Sequence, residues 1–485
     1  MSNLRKNLKD RQTVKERSNK SFKDFPGKFR GLTLRPEDAG YAKARQIYNM
    51  RHDDATPAMI ARAVDSDDVV VLMRYASEKG IPVAVRSGGH NSDGTAMPDG
   101  ALVLDMTAMT MLMLDRSTCI CRAESGVLLG QLDAGTQEYG LVVPAGTVST
   151  TGIAGLTIGG GVGYNMRRHG ATVDNLLACD VVTVDGRKVR ASKTENPDLL
   201  WALSGGGGNF GVVTAFEFKA HPVGPQVFSG VIVFPVEQAG EVLTNLREFM
   251  TKAPRELAVI AAGTACPPFP PVPAAVHGTP VQMLLVVFTG PAESAQGVID
   301  QLCALGRPIA PLVGPNSWVD TNRMLDQIAP YGRRMEARGG YLSKLDEAVI
   351  AAMVKNLTIA PAPTAPLPST VQNLWFMGGA ISEDFAEDSV AFSRDGANWF
   401  WESVCQWDGR QHDDEYLSWS ETSYADMKPS LRANGYVNLT CDMGPAWLKG
   451  LYGAESKYRR LVDAKTKWDP QNLLRFNKNF KPESH

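Results

Sequence analysis

Glycine is concentrated in three short stretches of this chain, and ordinary core packing does not call for it there. The first follows a β-branched run, Ile81 to Val85, and reads Arg86-Ser87-Gly88-Gly89-His90-Asn91-Ser92. Its two glycines let the backbone turn tightly and present successive N–H groups to an anion with no Cβ in the way. Such a concavity suits a phosphate or pyrophosphate, with the His90 imidazole at its mouth. Taken alone, the stretch fits a polar turn with a solvated histidine equally well. The second stretch runs Pro144-Ala145-Gly146-Thr147-Val148-Ser149-Thr150-Thr151-Gly152-Ile153-Ala154-Gly155-Leu156-Thr157-Ile158-Gly159-Gly160-Gly161-Val162-Gly163. Ordering so many glycines costs backbone entropy that a merely structural loop seldom incurs. Close approach of backbone to a large flat or anionic ligand explains it better. The third, Gly205-Gly206-Gly207-Gly208-Asn209-Phe210-Gly211, contains a formal G-x-G-x-x-G. A dinucleotide fingerprint needs a strand before it and a helix after it. Here a helix-like stretch (Pro197 to Leu203) precedes and a plain strand (Val212 to Phe218) follows, so the nicotinamide-dinucleotide reading fails.

The chain's 485 residues exceed a single core and predict two or three domains. A net charge of −2, with 44% hydrophobic and 21% charged residues, gives no electrostatic reason to expect nucleic acid or an anionic membrane as partner. No apolar run has the length of a membrane span, which predicts a soluble protein. The seven cysteines form no paired framework and no C-x-x-C, which points to a reduced, cytoplasmic compartment. Cys119 and Cys121, two apart in an alternating pattern, are expected on one strand face. Residues 1–32 are rich in Lys and Arg without a hydrophobic stretch, and read as a mobile tail and not as a secretory signal.

Along the chain, Thr56 to Met59 resembles a helix start, Val69 to Lys79 a helix, and Ile81 to Val85 a strand. A helix at Val127 to Tyr139 follows, then a hairpin with Asp185-Gly186 at its turn. From Val227 the pattern changes to strands (Val227 to Phe234, Leu257 to Ala262, Val281 to Phe288, Val371 to Phe376, Asn398 to Trp407). Helices are expected at Glu237 to Met250, Ser294 to Leu305 and Ser343 to Leu357, with proline-rich loops at Cys266 to Pro273 and Pro361 to Pro368. A last helix runs Ala454 to Lys467 and stops at Asp469-Pro470. The fold class expected is α+β: two mixed subdomains, then an antiparallel sheet backed by helices.

With these pieces in order, the chain resembles the berberine-bridge-enzyme-like flavin oxidases of the vanillyl-alcohol oxidase superfamily. The motifs that carry the resemblance are Arg86 to Asn91, Ala145 to Thr147 with Gly159 to Gly163, Gly208 to Thr214, Tyr436-Val437-Asn438, and Lys465 to Asn472. Continuation of the first motif through Ser92-Asp93-Gly94 resembles the bacterial 6-hydroxy-D-nicotine oxidase branch. The resemblance implies an FAD-binding domain of the PCMH type at 33–222 with a C-terminal return at 440–485, and a substrate domain at 223–439. It implies that Ser87, Gly88, Gly89, His90 and Asn91 cradle the pyrophosphate, and that His90 is bonded to the flavin 8α carbon. Arg86, Ala145, Gly146, Thr147, Val148, Thr151, Gly152, Gly155, Gly159, Gly161, Gly211, Val213, Tyr436 and Asn438 are the other positions it implies for the cofactor.

Two departures shape the expected chemistry. Many relatives place a second flavin-linked residue, cysteine, where Val148 stands, so one covalent bond is expected. Many also carry a tyrosine base where Leu439 stands, and the strand position that is Glu in plant relatives falls, counting back from Trp407, on Phe400. The resemblance thus implies a site without the usual acid/base set. An alcohol needs a base as its O–H ionises, whereas a neutral amine can lose hydride on the strength of its own lone pair. The expected function is therefore oxidation at a CH–NH bond with O2 as acceptor, Thr151 standing where bulkier residues restrict oxygen in dehydrogenases. Alcohol oxidation, an oxidative tailoring step with another electron acceptor, and a non-catalytic flavin-binding homologue are the alternatives. Gln372, Asn373, Gln406, Asp408, Tyr436 and Asn438 are candidate polar residues for catalysis. The aromatics Trp375, Phe376, Trp399, Phe400, Trp401 and Trp407 suggest a pocket for an apolar or heterocyclic small molecule. Oligomeric state and metal binding leave no mark in the sequence.

Overall fold

A computed structural model describes residues 22, 24–268 and 270–483. The expected tail therefore lies largely outside the described residues. Its described end behaves differently from the expectation: Phe22 and Phe29 are buried against Val69, Leu72 and Met73, and Asp24 accepts hydrogen bonds from Tyr75 (2.9 Å) and Lys79 (2.5 Å). Two buried phenylalanines make this stretch part of a core, where their burial opposes detachment.

Two small sheets carry the glycine segments. In the first, Leu32–Leu34, Met59–Arg62, Leu102–Asp105 and Val83–Arg86 lie in that order, the last three mutually parallel. Met59 to Arg62, whose approach resembles a helix start in sequence, is thus a strand. Met59, Ile60 and Ala61 are buried on both faces, which a central parallel strand requires. Helix Ser66–Lys79 packs on this sheet, its start capped by Asp65 accepting from Asp67 N and Asp68 N, its end by Gly80 in the left-handed region. The second sheet is antiparallel, in the order Leu112–Asp115, Ile120–Glu124, Val212–Lys219, Leu176–Val182, Lys188–Ser192. Helix Pro197–Leu203 precedes the third glycine cluster and strand Val212–Lys219 follows it, the order expected. Cys119 sits in the turn at φ 55°, outside the strand on which Cys121 is buried, so the two do not share a strand face.

The third sheet has seven antiparallel strands: Ala310–Ser317, Gln226–Pro235, Pro280–Phe288, Leu257–Ala265, Thr370–Phe376, Trp399–Trp407 and Arg334–Leu342. Helices Ala239–Met250, Ala292–Cys303, Glu347–Thr358 and Asp413–Met427 lie with it, the first three covering one face through Leu243, Leu246, Val298, Val349 and Met353. Strands Ala310–Ser317 and Arg334–Leu342 and helix Asp413–Met427 are not evident in the sequence. Both strands are sheet edges carrying glycine or proline, and the helix has polar residues on much of its surface. The opposite sheet face meets the glycine segments. Directly opposed residues share a face, so the pairing Asn373↔Glu402 faces one way and Gln372↔Ser403 the other. Among the described residues no helix is long and apolar enough to cross a membrane.

Candidate active site

The three glycine segments and the seven-stranded sheet enclose a cavity of about 420 Å³. At one end the first two segments meet backbone to backbone. A Cβ on Gly88 would stand 2.3 Å from Gly152 N, and one on Gly152 would stand 2.3 Å from both Gly88 N and Ser87 Oγ. Only glycine permits this approach, which is why both segments carry it here. Ser87 Oγ donates to Ser125 O (2.6 Å), fixing the loop to the second sheet. Of the positions named for the cofactor, Ser87, Gly88, Gly89, His90, Asn91, Gly146, Thr147, Val148, Thr151, Gly152, Gly155, Gly159, Gly211 and Val213 line the cavity.

Three expected residues do not line it. Arg86 turns its guanidinium back onto Ala44 O, Gly161 packs against Thr172, and Ala145 gives its carbonyl to close contact with Gly163. In their place the lining includes Tyr48, Gly206 to Asn209, and the C-terminal Phe476, Asn477 and Lys478. The third glycine cluster signalled the second group; nothing in the sequence signalled Tyr48.

His90 is half-buried, with Nε2 3.0 Å from Thr150 Oγ1 and Nδ1 3.4 Å from Thr151 Oγ1. The Tyr48 ring stacks on it at 4.2 Å and Tyr331 meets it edge-on at 5.2 Å. Desolvation pulls its pKa down to about 4, against a weaker upward pull from Thr150, so the imidazole is neutral near pH 7.

Asn438 holds the C-terminal side. Its Nδ2 donates to Leu156 O (3.0 Å), at the end of helix Ile153–Ile158, and to Tyr436 Oη (3.1 Å), while its carboxamide lies where any Cβ on Gly159 would stand. Tyr436 is fully enclosed and its pKa is pushed up to about 12 by burial, so it stands as a neutral phenol. Both residues line the cavity, as does Leu439.

The sheet end corrects the expected acid/base picture. Phe400 is buried edge-on between Tyr341 and Tyr436 and does not line the cavity. Glu402, two residues on, does, together with Val404 and Gln406 on the same strand face. Its Oε1 accepts from Asn373 Nδ2 (2.9 Å) and Trp375 Nε1 (3.1 Å), while Oε2 is buried with no partner among the described residues. Burial raises its pKa to about 7, the two hydrogen bonds opposing the shift. A glutamate inside a strand of aromatic residues was itself the missed signal, because an acid is rarely enclosed there without a task.

Two other candidates are excluded by position. Gln372 points to the opposite sheet face, donating to Met353 O (2.9 Å) on helix Glu347–Thr358. Asp408 lies past the end of its strand, half-exposed beside Arg333 and Thr364. Gln406 donates to Tyr48 Oη (2.6 Å). Around Glu402 the sheet end is apolar: Ile260, Ala262, Met283, Leu285, Leu325 and Val371.

A glycine-walled cavity continuous with an apolar end that holds a single carboxylate would accommodate a flavin dinucleotide. Comparison with known proteins gives the cofactor independently. Residues 57–192 match the model described as FAD binding domain, and residues 435–481 the model described as berberine and berberine like. The chain is an FAD-dependent oxidoreductase similar to the berberine-bridge-enzyme-like proteins. The flavoprotein is 29% identical over 432 residues to an FAD-linked oxidoreductase of Dictyostelium discoideum, covering 88% of this chain and 89% of that one. It is 26% identical over 483 residues to (R)-6-hydroxynicotine oxidase of Paenarthrobacter nicotinovorans, covering 94% and 98%. Its fold superposes on crystal structures of 6-hydroxy-D-nicotine oxidase from Arthrobacter nicotinovorans (TM-score 0.82, 24% identity, 95% and 100% covered) and xylooligosaccharide oxidase from Myceliophthora thermophila with xylobiose (0.82, 22%, 96% and 100%).

Proposed function

We propose that the enzyme is an oxidase, with FAD held by one bond to His90, that oxidises a small, largely apolar or heterocyclic amine at a CH–NH bond. The observation that carries the reading is Glu402, the only carboxylate among the described residues lining the cavity. When bound, FAD supplies the hydride acceptor, and O2 restores its oxidised form with release of hydrogen peroxide. Residues 33–222 and 440–485 serve the cofactor and 223–439 shape the substrate end.

Where the sequence resemblance implies no base, Glu402 lines the cavity, and the amine reading rests on it. Oε2 of Glu402 is a buried acceptor without a partner, in apolar surroundings, and an ammonium group satisfies both its charge and its hydrogen bond. Glu402 takes the N–H proton, and the lone pair left on nitrogen assists departure of hydride from the adjacent carbon. Asn373 and Trp375 hold the carboxylate in place through Oε1. The apolar lining disfavours a sugar. A second reading, oxidation of an alcohol, is supported by the same oxygen, which can equally take an O–H proton.

The test is flavin reduction under anaerobic conditions at saturating substrate, across pH and across amines of different basicity. The amine reading expects a limb that moves with the substrate's ammonium pKa, and hydrogen peroxide on admission of air. A limb unmoved by substrate, with alcohols reducing the flavin and amines inert, establishes the alcohol reading instead. For the cofactor, denatured protein should stay yellow with flavin on a single peptide containing His90, because Val148 offers no thiol; a second flavin-bearing peptide, or flavin released by acid, contradicts the single bond.

A further inference from the structure

His90 is held more closely than cofactor contact alone requires. The Tyr48 ring lies parallel to the imidazole within 16°, and Tyr331 closes the edge at 85°. Tyr48 is itself fixed: its hydroxyl donates to Ala329 O (3.0 Å) and accepts from Gln406 Nε2 (2.6 Å), and its backbone N–H donates to Gly89 O (3.0 Å), one residue before the histidine. The Tyr331 hydroxyl reaches Gly88 O. The imidazole plane is thereby set from both sides.

Its two nitrogens face different surroundings. Thr151, 3.4 Å from Nδ1, lines the cavity, whereas Thr150, 3.0 Å from Nε2, does not. Nδ1 is therefore on the cavity side and Nε2 on the protein side. A neutral imidazole carries one proton, and the better hydrogen bond on one nitrogen decides which. The shorter contact is at Nε2.

We propose that Thr150 and Tyr48 are positioning residues for covalent attachment of the flavin: Thr150 Oγ1 accepts Nε2–H and so leaves the Nδ1 lone pair facing the cavity, while Tyr48 fixes the ring plane. The inference rests on the reading that His90 forms the bond. In that step Nδ1 bonds to the 8α carbon as that carbon loses one hydrogen as a proton, and Nε2 releases its proton through Thr150. The two electrons set free reduce the flavin, and O2 removes them as in turnover. Burial keeps His90 unprotonated at neutral pH, so a lone pair is available without prior deprotonation of an imidazolium.

The experiment uses the full chain purified from riboflavin-limited cells and supplied with FAD. Flavin bound before denaturation and flavin retained after acid precipitation are followed in time. Thr150→Val should bind FAD as the parent does but attach it about tenfold more slowly, the worth of one hydrogen bond in rate, and Thr150→Ser should restore the rate. Tyr48→Leu should slow attachment while Tyr48→Phe, which keeps the stacked ring, slows it less. Attachment at the parent rate in Thr150→Val, with His90→Ala attaching none, overturns the role of Thr150 alone. Flavin washing out of the acid-treated parent overturns both the covalent reading and this inference. Should Thr150→Val fail to bind FAD, the serine and tyrosine variants decide: equal rates in Tyr48→Leu and the parent, or a Thr150→Ser rate about tenfold below the parent's, overturn it.

Discussion

Glu402→Gln should lower turnover at neutral pH by about 10²–10⁴-fold, the usual worth of a positioned general base. Glutamine keeps the side chain's shape and an oxygen able to accept from Asn373 and Trp375, so the strand face should stay intact. What disappears is the negative charge and the basic Oε2. In the parent, kcat/KM should rise with pH through a pKa near 7, the value to which burial lifts this carboxyl, and that limb should be absent in the variant. Substrate class can be read from the same profile. An amine bound to the glutamine variant regains activity at high pH, where solvent has already removed the ammonium proton. An alcohol has no such neutral reactive form to reach, and its loss persists across the range.

Stability gives a second reading of Glu402, with a definite sign. Its folded pKa of about 7 lies above the ordinary glutamate value of about 4.3, so between those limits the folded chain holds a proton that the unfolded chain has released. Stability from this group therefore falls as pH rises through that window, by on the order of 3 kcal/mol at its upper end. The glutamine variant should melt higher than the parent above pH 7 and alike below pH 4. A base retained at such a cost is what a catalytic carboxylate predicts and a structural one does not. Equal turnover in parent and variant across pH would remove Glu402 from the chemistry.

The cofactor side of this site was more legible in the sequence than the substrate side, for a physical reason. Backbone contact between Gly88 and Gly152 tolerates no Cβ, and so it is written as glycine in any chain that uses it. The sheet end depends on strand parity. Phe400 and Glu402 share a face, two residues apart; counting back from Trp407 picks Phe400, whereas Glu402 is the one that lines the cavity, because nothing local fixes where the strand meets it. Gln372 differs in kind: it stands one residue from Asn373, so its side chain falls on the opposite face, and Asn373 is the one beside Glu402. Tyr48 illustrates a further limit. It reaches His90 from an irregular segment before the first glycine cluster, and no period or motif encodes that contact.

The C-terminal helix supports the largest stability effect expected. Lys465 and Asp469 are both fully buried and paired at 2.7 Å, one turn apart on helix Glu455–Trp468 and its cap. The ammonium also donates to Asn209 O (3.1 Å) and Leu474 O (3.0 Å), and the carboxylate accepts from Leu473 N (2.8 Å) and Leu474 N (2.9 Å). Burial pulls the Lys465 pKa down, and Asp469 beside it opposes the shift. One lysine thus ties the helix, the C-terminal return and the third glycine cluster together. Lys465→Met leaves a buried carboxylate without its counter-charge and should cost about 3–5 kcal/mol. Because Asn209 lines the cavity, the loss should show locally as faster amide exchange at 205–211 and 470–480, as well as in a lower melting temperature. Lys465→Met with Asp469→Asn should recover part of the loss, since replacing both charges removes the uncompensated one. A single variant as stable as the parent would mean that backbone N–H groups alone satisfy Asp469, and that the lysine is dispensable to the fold.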